Sequence, residues 1–197
     1  MIKILDFFLN SNKIKSGGAN VEKYEIKVYR KTYDKFPNKE YEDINPFGVN
    51  NYIHYENECK YLKLLNKYDI SPKILETNVN SLLLSDCGEQ LTFENCPSDW
   101  KKQITNIYRI LKEVNIFHND LKLDNLTVLN NKIYLIDFGW ASQNIPSYPY
   151  FNLNSEIIDK SDSILELFHH LFNYTSNLVL KMNCNLNNYI NCSLRNK

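Results

Sequence analysis

The stretch His118-Asn119-Asp120-Leu121-Lys122-Leu123-Asp124-Asn125, followed by Ile136-Asp137-Phe138-Gly139, decides how this chain is read. Asp120 and Asn125 stand five apart in a segment without helical periodicity. Two short apolar runs, Leu126–Leu129 and Ile133–Ile136, flank Asn130-Asn131, which reads as a hairpin turn. That hairpin returns the chain to Asp137, so two carboxylates and an amide oxygen are expected to meet. Hard oxygen ligands of this kind suit Mg²⁺. Phosphoryl transfer asks a protein for little else: a carboxylate to take a hydroxyl proton, oxygens for the metal, and a cation on the phosphates.

Upstream of the loop, Ser98-Asp99 is expected to cap a helix with Ile104, Ile107, Leu111 and Val114 on its inner face. Further upstream, Asn51–Tyr68 carries Tyr55, Glu58, Leu62 and Leu65 at helical spacing on one face. Glu56, Lys60 and Lys63 fall on the other face and read as solvated. Glu58 therefore sits in an apolar stripe and needs a buried cation. Lys73–Thr77 and Ser81–Leu84 read as strands, ended by Asp86-Cys87-Gly88. Ile2, Ile4 and Asp6 alternate with Lys3, Leu5 and Phe7, and Tyr24–Tyr29 makes another strand with Lys27 between two aliphatic residues. Lys31–Asn50 reads as a loop. Downstream, a helix is expected over about Ser161–Phe172, with Ile164, Leu165, Phe168 and Leu171 inward.

Strands, a helix, strands and then mostly helix predict an α+β fold. The expected division is a β-rich N-terminal lobe over about 1–85, a hinge at about 85–89 and a reduced helical lobe over about 90–197, as one domain.

The spaced motifs resemble the catalytic and metal loops of the protein-kinase superfamily. The resemblance implies a bilobal fold, ATP and Mg²⁺ as cofactors, Asp120 as base, Lys122 on the γ-phosphate, and Asn125 and Asp137 as metal ligands. Tyr24-Glu25-Ile26-Lys27-Val28 resembles the strand bearing the phosphate-binding lysine, and Asn57–Leu62 the helix whose acid pairs with it. That makes Lys27–Glu58 the expected pair, with Lys31 as the rival lysine. Leu83–Gly88 resembles the adenine-binding hinge, at Ser85, Asp86 and Cys87. Asp162 reads as a helix N-cap, although the segment also resembles one whose Asp holds the catalytic loop. His118 is expected to pack beneath the loop.

Three parts of the superfamily pattern are altered. No Gly-x-Gly-x-x-Gly precedes Lys27, which leaves Leu9–Asn12 as a glycine-free phosphate loop. Asn119 replaces the Arg that receives an activating phosphate, so phosphorylation at Ser142, Ser147, Tyr148 or Tyr150 is expected to be unnecessary. The segment after Gly139 is short and lacks Ala-Pro-Glu, as in minimal kinases. The implied activity is a Ser/Thr-type protein kinase acting on another protein or on itself, with a protein partner completing the reduced lobe. An ATPase subunit of an assembly, or a non-enzymatic pseudokinase binding module, are the alternatives.

Composition limits other functions. Lys plus Arg and Asp plus Glu are 23 each, so net charge gives no nucleic-acid or membrane-surface signal. The five cysteines form no Cys-x-x-Cys pair, which argues against disulfides or zinc and for a reducing compartment. No signal peptide or membrane span is evident, and a cytoplasmic location is expected. About one residue in seven is Asn, far above ordinary usage. With many Lys, Ile and Tyr, this points to AT-rich coding and to a source such as a large DNA virus, which would place the protein in the host cytoplasm or the virion.

Overall fold

A computed structural model describes residues 3–10, 25–33, 51–146 and 151–177 of the chain. Strands β1 (Lys3–Asn10) and β2 (Glu25–Thr32) pair antiparallel in unbroken register, from Lys3 opposite Thr32 to Asn10 opposite Glu25. Strand β3 (Ile74–Asn78) and β4 (Ser81–Ser85) complete a four-stranded sheet in the order β1-β2-β4-β3. The first strand therefore includes Leu9 and Asn10, which face Ile26 and Glu25 as paired residues. Half of the expected phosphate loop is thus strand, while its remainder lies outside the described residues. Lys31 and Thr32 likewise belong to β2 rather than to a loop.

Helix α1 (Asn51–Leu65) packs its inner face with Glu58, Tyr61, Leu62 and Leu65, while Glu56, Lys60 and Lys63 are exposed. Each fully buried aliphatic side chain of this kind contributes about 1.5–3 kcal/mol. The short strand β5 (Glu89–Gln90) follows, then helix α2 (Trp100–Glu113), whose buried residues are Ile104, Ile107, Ile110 and Leu111. Asp99 stands at its N-cap but makes no side-chain cap bond. Its carboxylate instead accepts from Gln103 Nε2 at 2.7 Å.

Beyond α2, β6 (Ile116–Phe117) leads into the motif-bearing loop. One 3₁₀ turn at Leu123–Asn125 precedes the hairpin of β7 (Leu126–Leu129) and β8 (Lys132–Leu135). Asn130 and Asn131 form its turn with φ of 51° and 63°, the left-handed region that suits this tight connection. Asn115, Asn119, Asn144, Asp69 and Asp137 also have positive φ. A second 3₁₀ turn, Phe138–Trp140, leads to β9 (Ser142–Gln143), which pairs with β6.

Helix α3 (Ser155–Lys160) is capped by the Asn154 side chain, which accepts from Glu156 N–H at 2.8 Å. A last helix, α4, spans 164–177. Ser163, not Asp162, supplies its cap, accepting from Glu166 N–H at 3.1 Å. Ile164, Leu167, Leu171 and Thr175 are its buried residues; Leu165, expected inward, is 52% exposed because it falls on the outer side of that face.

Side chains from α1, β4, α2, the β7–β8 hairpin, α3 and α4 join in one hydrophobic cluster. The architecture is α+β with small antiparallel sheets. No helix among the described residues is long and apolar enough to cross a membrane.

Candidate functional site

Lys31 organises one half of the site. Its ammonium donates to Glu58 Oε2 at 2.5 Å and to Asp137 Oδ1 at 2.9 Å. Tyr33, two residues on and on the same strand face, donates its hydroxyl to the same Glu58 oxygen at 2.5 Å. Three distant parts of the chain, β2, α1 and the Asp137 turn, thus meet on one cation. Glu58 is 1% exposed, so it needs these two donors. Burial alone would lower the Lys31 pKa, but the charges of Glu58 and Asp137 and the bonds to them hold it above its ordinary value. Burial would raise Asp137; the Lys31 charge and hydrogen bond, with the Gly139 N–H, instead hold it below the usual carboxylate range. Both groups are charged at neutral pH.

The expected Lys27–Glu58 pair is therefore corrected to Lys31–Glu58. Lys27 shares the Lys31 strand face but lies four residues away, about 13 Å along the strand. Its ammonium sits 5.0 Å from the centre of the Tyr29 ring. The register places that end of β2 beside the β4 terminus, with Val28 opposite Ser85 and Tyr29 opposite Leu84. Strand parity could not separate the two lysines, because 27, 29, 31 and 33 all point the same way. The docking position of α1 chooses between them.

The second half of the site is the loop from His118 to Asn125. Lys122 Nζ lies 2.9 Å from Asp120 Oδ2. Asn125 Nδ2 donates to the Asp120 carbonyl at 2.7 Å and to the same carboxylate oxygen, Oδ2, at 3.1 Å, so Lys122 and Asn125 hold Asp120 through one oxygen. The Ile136 N–H donates to the Asn125 carbonyl at 2.9 Å, so Asn125 is held beside the residue preceding Asp137. His118 is buried below, as expected, with Nε2 2.9 Å from the Ile136 carbonyl oxygen and its ring edge-on to Phe138. Burial lowers its pKa, so the imidazole is neutral.

Asp137 takes a left-handed conformation, φ 64° and ψ 69°. This turns the chain sharply before Phe138, which is fully buried. Helix α1 then closes over the turn. Asn57 Nδ2 donates to the Gly139 carbonyl at 3.0 Å, and the His54 ring stands edge-on to Trp140 at 4.6 Å. A Cβ on Gly139 would lie 2.6 Å from His54 Nδ1, so any larger residue there would push the His54 ring aside. The roles of His54 and Asn57 escaped the sequence reading: His54 belongs to no motif, and Asn57 opens the Asn57–Leu62 stretch without a part of its own in the resemblance.

At the expected hinge, Ser85 ends β4 and its hydroxyl accepts from Lys73 N–H at 2.9 Å. Asp86 accepts from Gly88 N–H at 2.8 Å in a side-chain-closed turn. Cys87 is buried, and burial, then Asp86 and Asp69, push its thiol up to about 12. A Cβ on Gly88, with φ +83°, would lie 1.9 Å from the Val128 carbonyl oxygen. Asp162 is exposed at the start of α4.

Among the described residues, no three His, Cys, Asp or Glu side chains converge as a preformed metal cage. Asn125 and Asp137 still suit Mg²⁺, which commonly takes one or two protein oxygens and completes its shell with water and substrate phosphates. No protein-family model matches this chain, and no curated protein is significantly similar to it.

Proposed function

We propose that the chain is a compact, bilobal protein-kinase-like phosphotransferase that uses ATP and Mg²⁺. The observation that carries this reading is the Lys31 cluster. A strand lysine, a helix glutamate and the aspartate of Asp137-Phe138-Gly139 converge at 2.5 and 2.9 Å, across the chain from a loop in which Asn125 and Lys122 hold Asp120. A cation beside a carboxylate, and a second carboxylate held by an amide and a lysine, are the groups that phosphoryl transfer asks for, and this supports the reading.

In this reading Lys31 takes the role expected of Lys27. Glu58 and Tyr33 fix the lysine while it turns from Asp137 towards the nucleotide phosphates. Asn125 and Asp137 would hold Mg²⁺, which would supply charge neutralisation on those phosphates. Asp120 accepts the proton of an incoming hydroxyl as its oxygen bonds to the γ-phosphorus and the bond to the ADP oxygen breaks. Lys122, half exposed beside Asp120, steadies the charge on the moving phosphoryl group. The hinge at Ser85, Asp86 and Cys87 receives the base. The acceptor is a Ser or Thr hydroxyl of a protein, including this one.

Purified protein incubated with γ-labelled ATP, Mg²⁺ and generic protein substrates tests this. Label should enter protein and should fail to do so in Asp137→Ala. Release of free phosphate alone would identify an ATPase. Neither transfer nor release would leave a binding module and overturn the reading.

A further inference from the structure

Asn119 has no exposed surface, and its hydrogen-bonding groups are taken up. Its backbone N–H donates to Asn152 Oδ1 at 2.7 Å, and its Oδ1 accepts from Asn152 Nδ2 at 3.0 Å. Its side-chain amide donates to the Trp140 carbonyl and to Ser142 Oγ, both at 2.8 Å. Its own carbonyl accepts from Phe151 N–H at 2.9 Å, and Leu121 N–H donates to the Phe151 carbonyl at 2.8 Å. Phe151 is thereby bridged in parallel to Asp120. Ser142 passes its hydroxyl proton on to the Ile145 carbonyl at 2.7 Å. Both flanks of the segment that follows Asp137, at 140–142 and at 151–152, are tied to the single residue preceding Asp120.

A charged receiver at this position would need an added phosphate to complete it. A buried amide with its bonds already made needs nothing added, and leaves no donor over for a phosphate. The clamp is made of neutral groups and is complete in the unmodified chain.

We propose, building on the kinase reading, that Asn119 and Asn152 are positioning residues. Their reciprocal amide pair clamps the post-Asp137 segment to the catalytic loop and sets Asp120, in place of an activating phosphate.

The test uses the full chain, shown by mass spectrometry to carry no phosphate, as wild type, Asn152→Ala, Asn152→Asp and Ser142→Ala. The first readout is amide hydrogen exchange without nucleotide. Asn152→Ala should speed exchange at Leu121 and Phe151 by about tenfold or more, while the β7–β8 hairpin stays unchanged. Unchanged exchange at Leu121 and Phe151 would overturn the clamp. The second readout is kinetic. Asn152→Ala should lower kcat by about tenfold or more with KM for ATP within about threefold, because Asp120 is displaced and the nucleotide contacts are not. Asn152→Asp keeps the acceptor for the Asn119 N–H and should fall between wild type and Asn152→Ala. Ser142→Ala removes one outer bond and should show the same pattern at smaller amplitude; it carries the test if Asn152→Ala does not fold. An unchanged kcat, or a kcat restored only by phosphorylation, would overturn the positioning role. A wild type without Asp137-dependent turnover would refute the kinase reading and the positioning role with it, while the exchange result still decides whether the clamp exists.

Discussion

Two polar networks brace the site, and they differ in kind. Around Lys31 the network is ionic, joining Glu58, Tyr33 and Asp137. Around Asn119 it is neutral, joining Asn152, Ser142 and the Trp140 carbonyl. The ionic network has one partly open partner: Asp137 is a third exposed, and under the proposed function its bond to Lys31 would give way to one with a phosphate. The neutral network has no such loose end. A charged cluster thus suits the part of the site that must respond to a ligand, and a satisfied amide cluster suits the part that must stay put.

The comparison can be broken most forcefully at the carboxylates. Asp137→Ala should abolish Mg²⁺-dependent turnover, and Asp120→Asn should cut transfer about 10²-fold or more while ATP binding persists. Isothermal titration beside the labelled-ATP assay separates the two, and wild-type transfer by Asp120→Asn would remove Asp120 as the base.

Next in size is the lysine exchange. Lys31→Met leaves Glu58 buried with only Tyr33, a loss of about 3–5 kcal/mol by denaturant unfolding. Lys27→Met should cost under about 1 kcal/mol. Equal losses would mean that the ion cluster is not what holds α1 in place.

Dependence on pH sharpens the contrast further. The Lys31 pKa is raised above its ordinary 10.5, so its contribution is whole below that value and is lost as pH rises through the raised one. The Asp137 pKa is lowered below its ordinary 3.8, so its contribution is whole above that value and is lost as pH falls through the lowered one. These two contributions therefore fall away at opposite extremes of pH. The stability lost in Asn152→Ala, which touches no titrating group of the clamp, should be flat between them. The smallest effect belongs to Glu56→Ala on the exposed face of α1, within about 0.5 kcal/mol by thermal melting.

How much of this was legible in the sequence depended on whether local spacing or long-range docking decides. The hairpin of β7 and β8 and the burial of Glu58 against the exposure of Glu56 follow from periodicity and turn chemistry, while the seat of His118 came only with the motif resemblance. The choice of Lys31 over Lys27 does not, since both lie on one strand face and only the seating of α1 distinguishes them. Leu165 went wrong for a related reason: a short amphipathic stretch leaves the rotation of its helix open to a neighbouring residue such as Leu167. The Asn119 clamp was half visible. Asn119 marks the lack of a phosphate receiver, but its partner Asn152 stands 33 residues away in a chain crowded with asparagine, where one more carries no signal.

That crowding bears on the left-handed turns. Of the seven non-glycine residues with positive φ among the described residues, five are Asn and two are Asp, in a chain with only five glycines. Asparagine tolerates this conformation better than other side chains, so it can occupy turns where glycine is the usual choice. Glycine codons are GC-rich and asparagine codons are not. A genome drifting towards A and T could replace the former with the latter at such corners while the backbone path stays the same. Sequence profiles give glycines at fixed turns heavy weight. A lineage that rewrites those letters would fade from profile comparison sooner than its fold changes, and its kinship would then be sought by backbone shape.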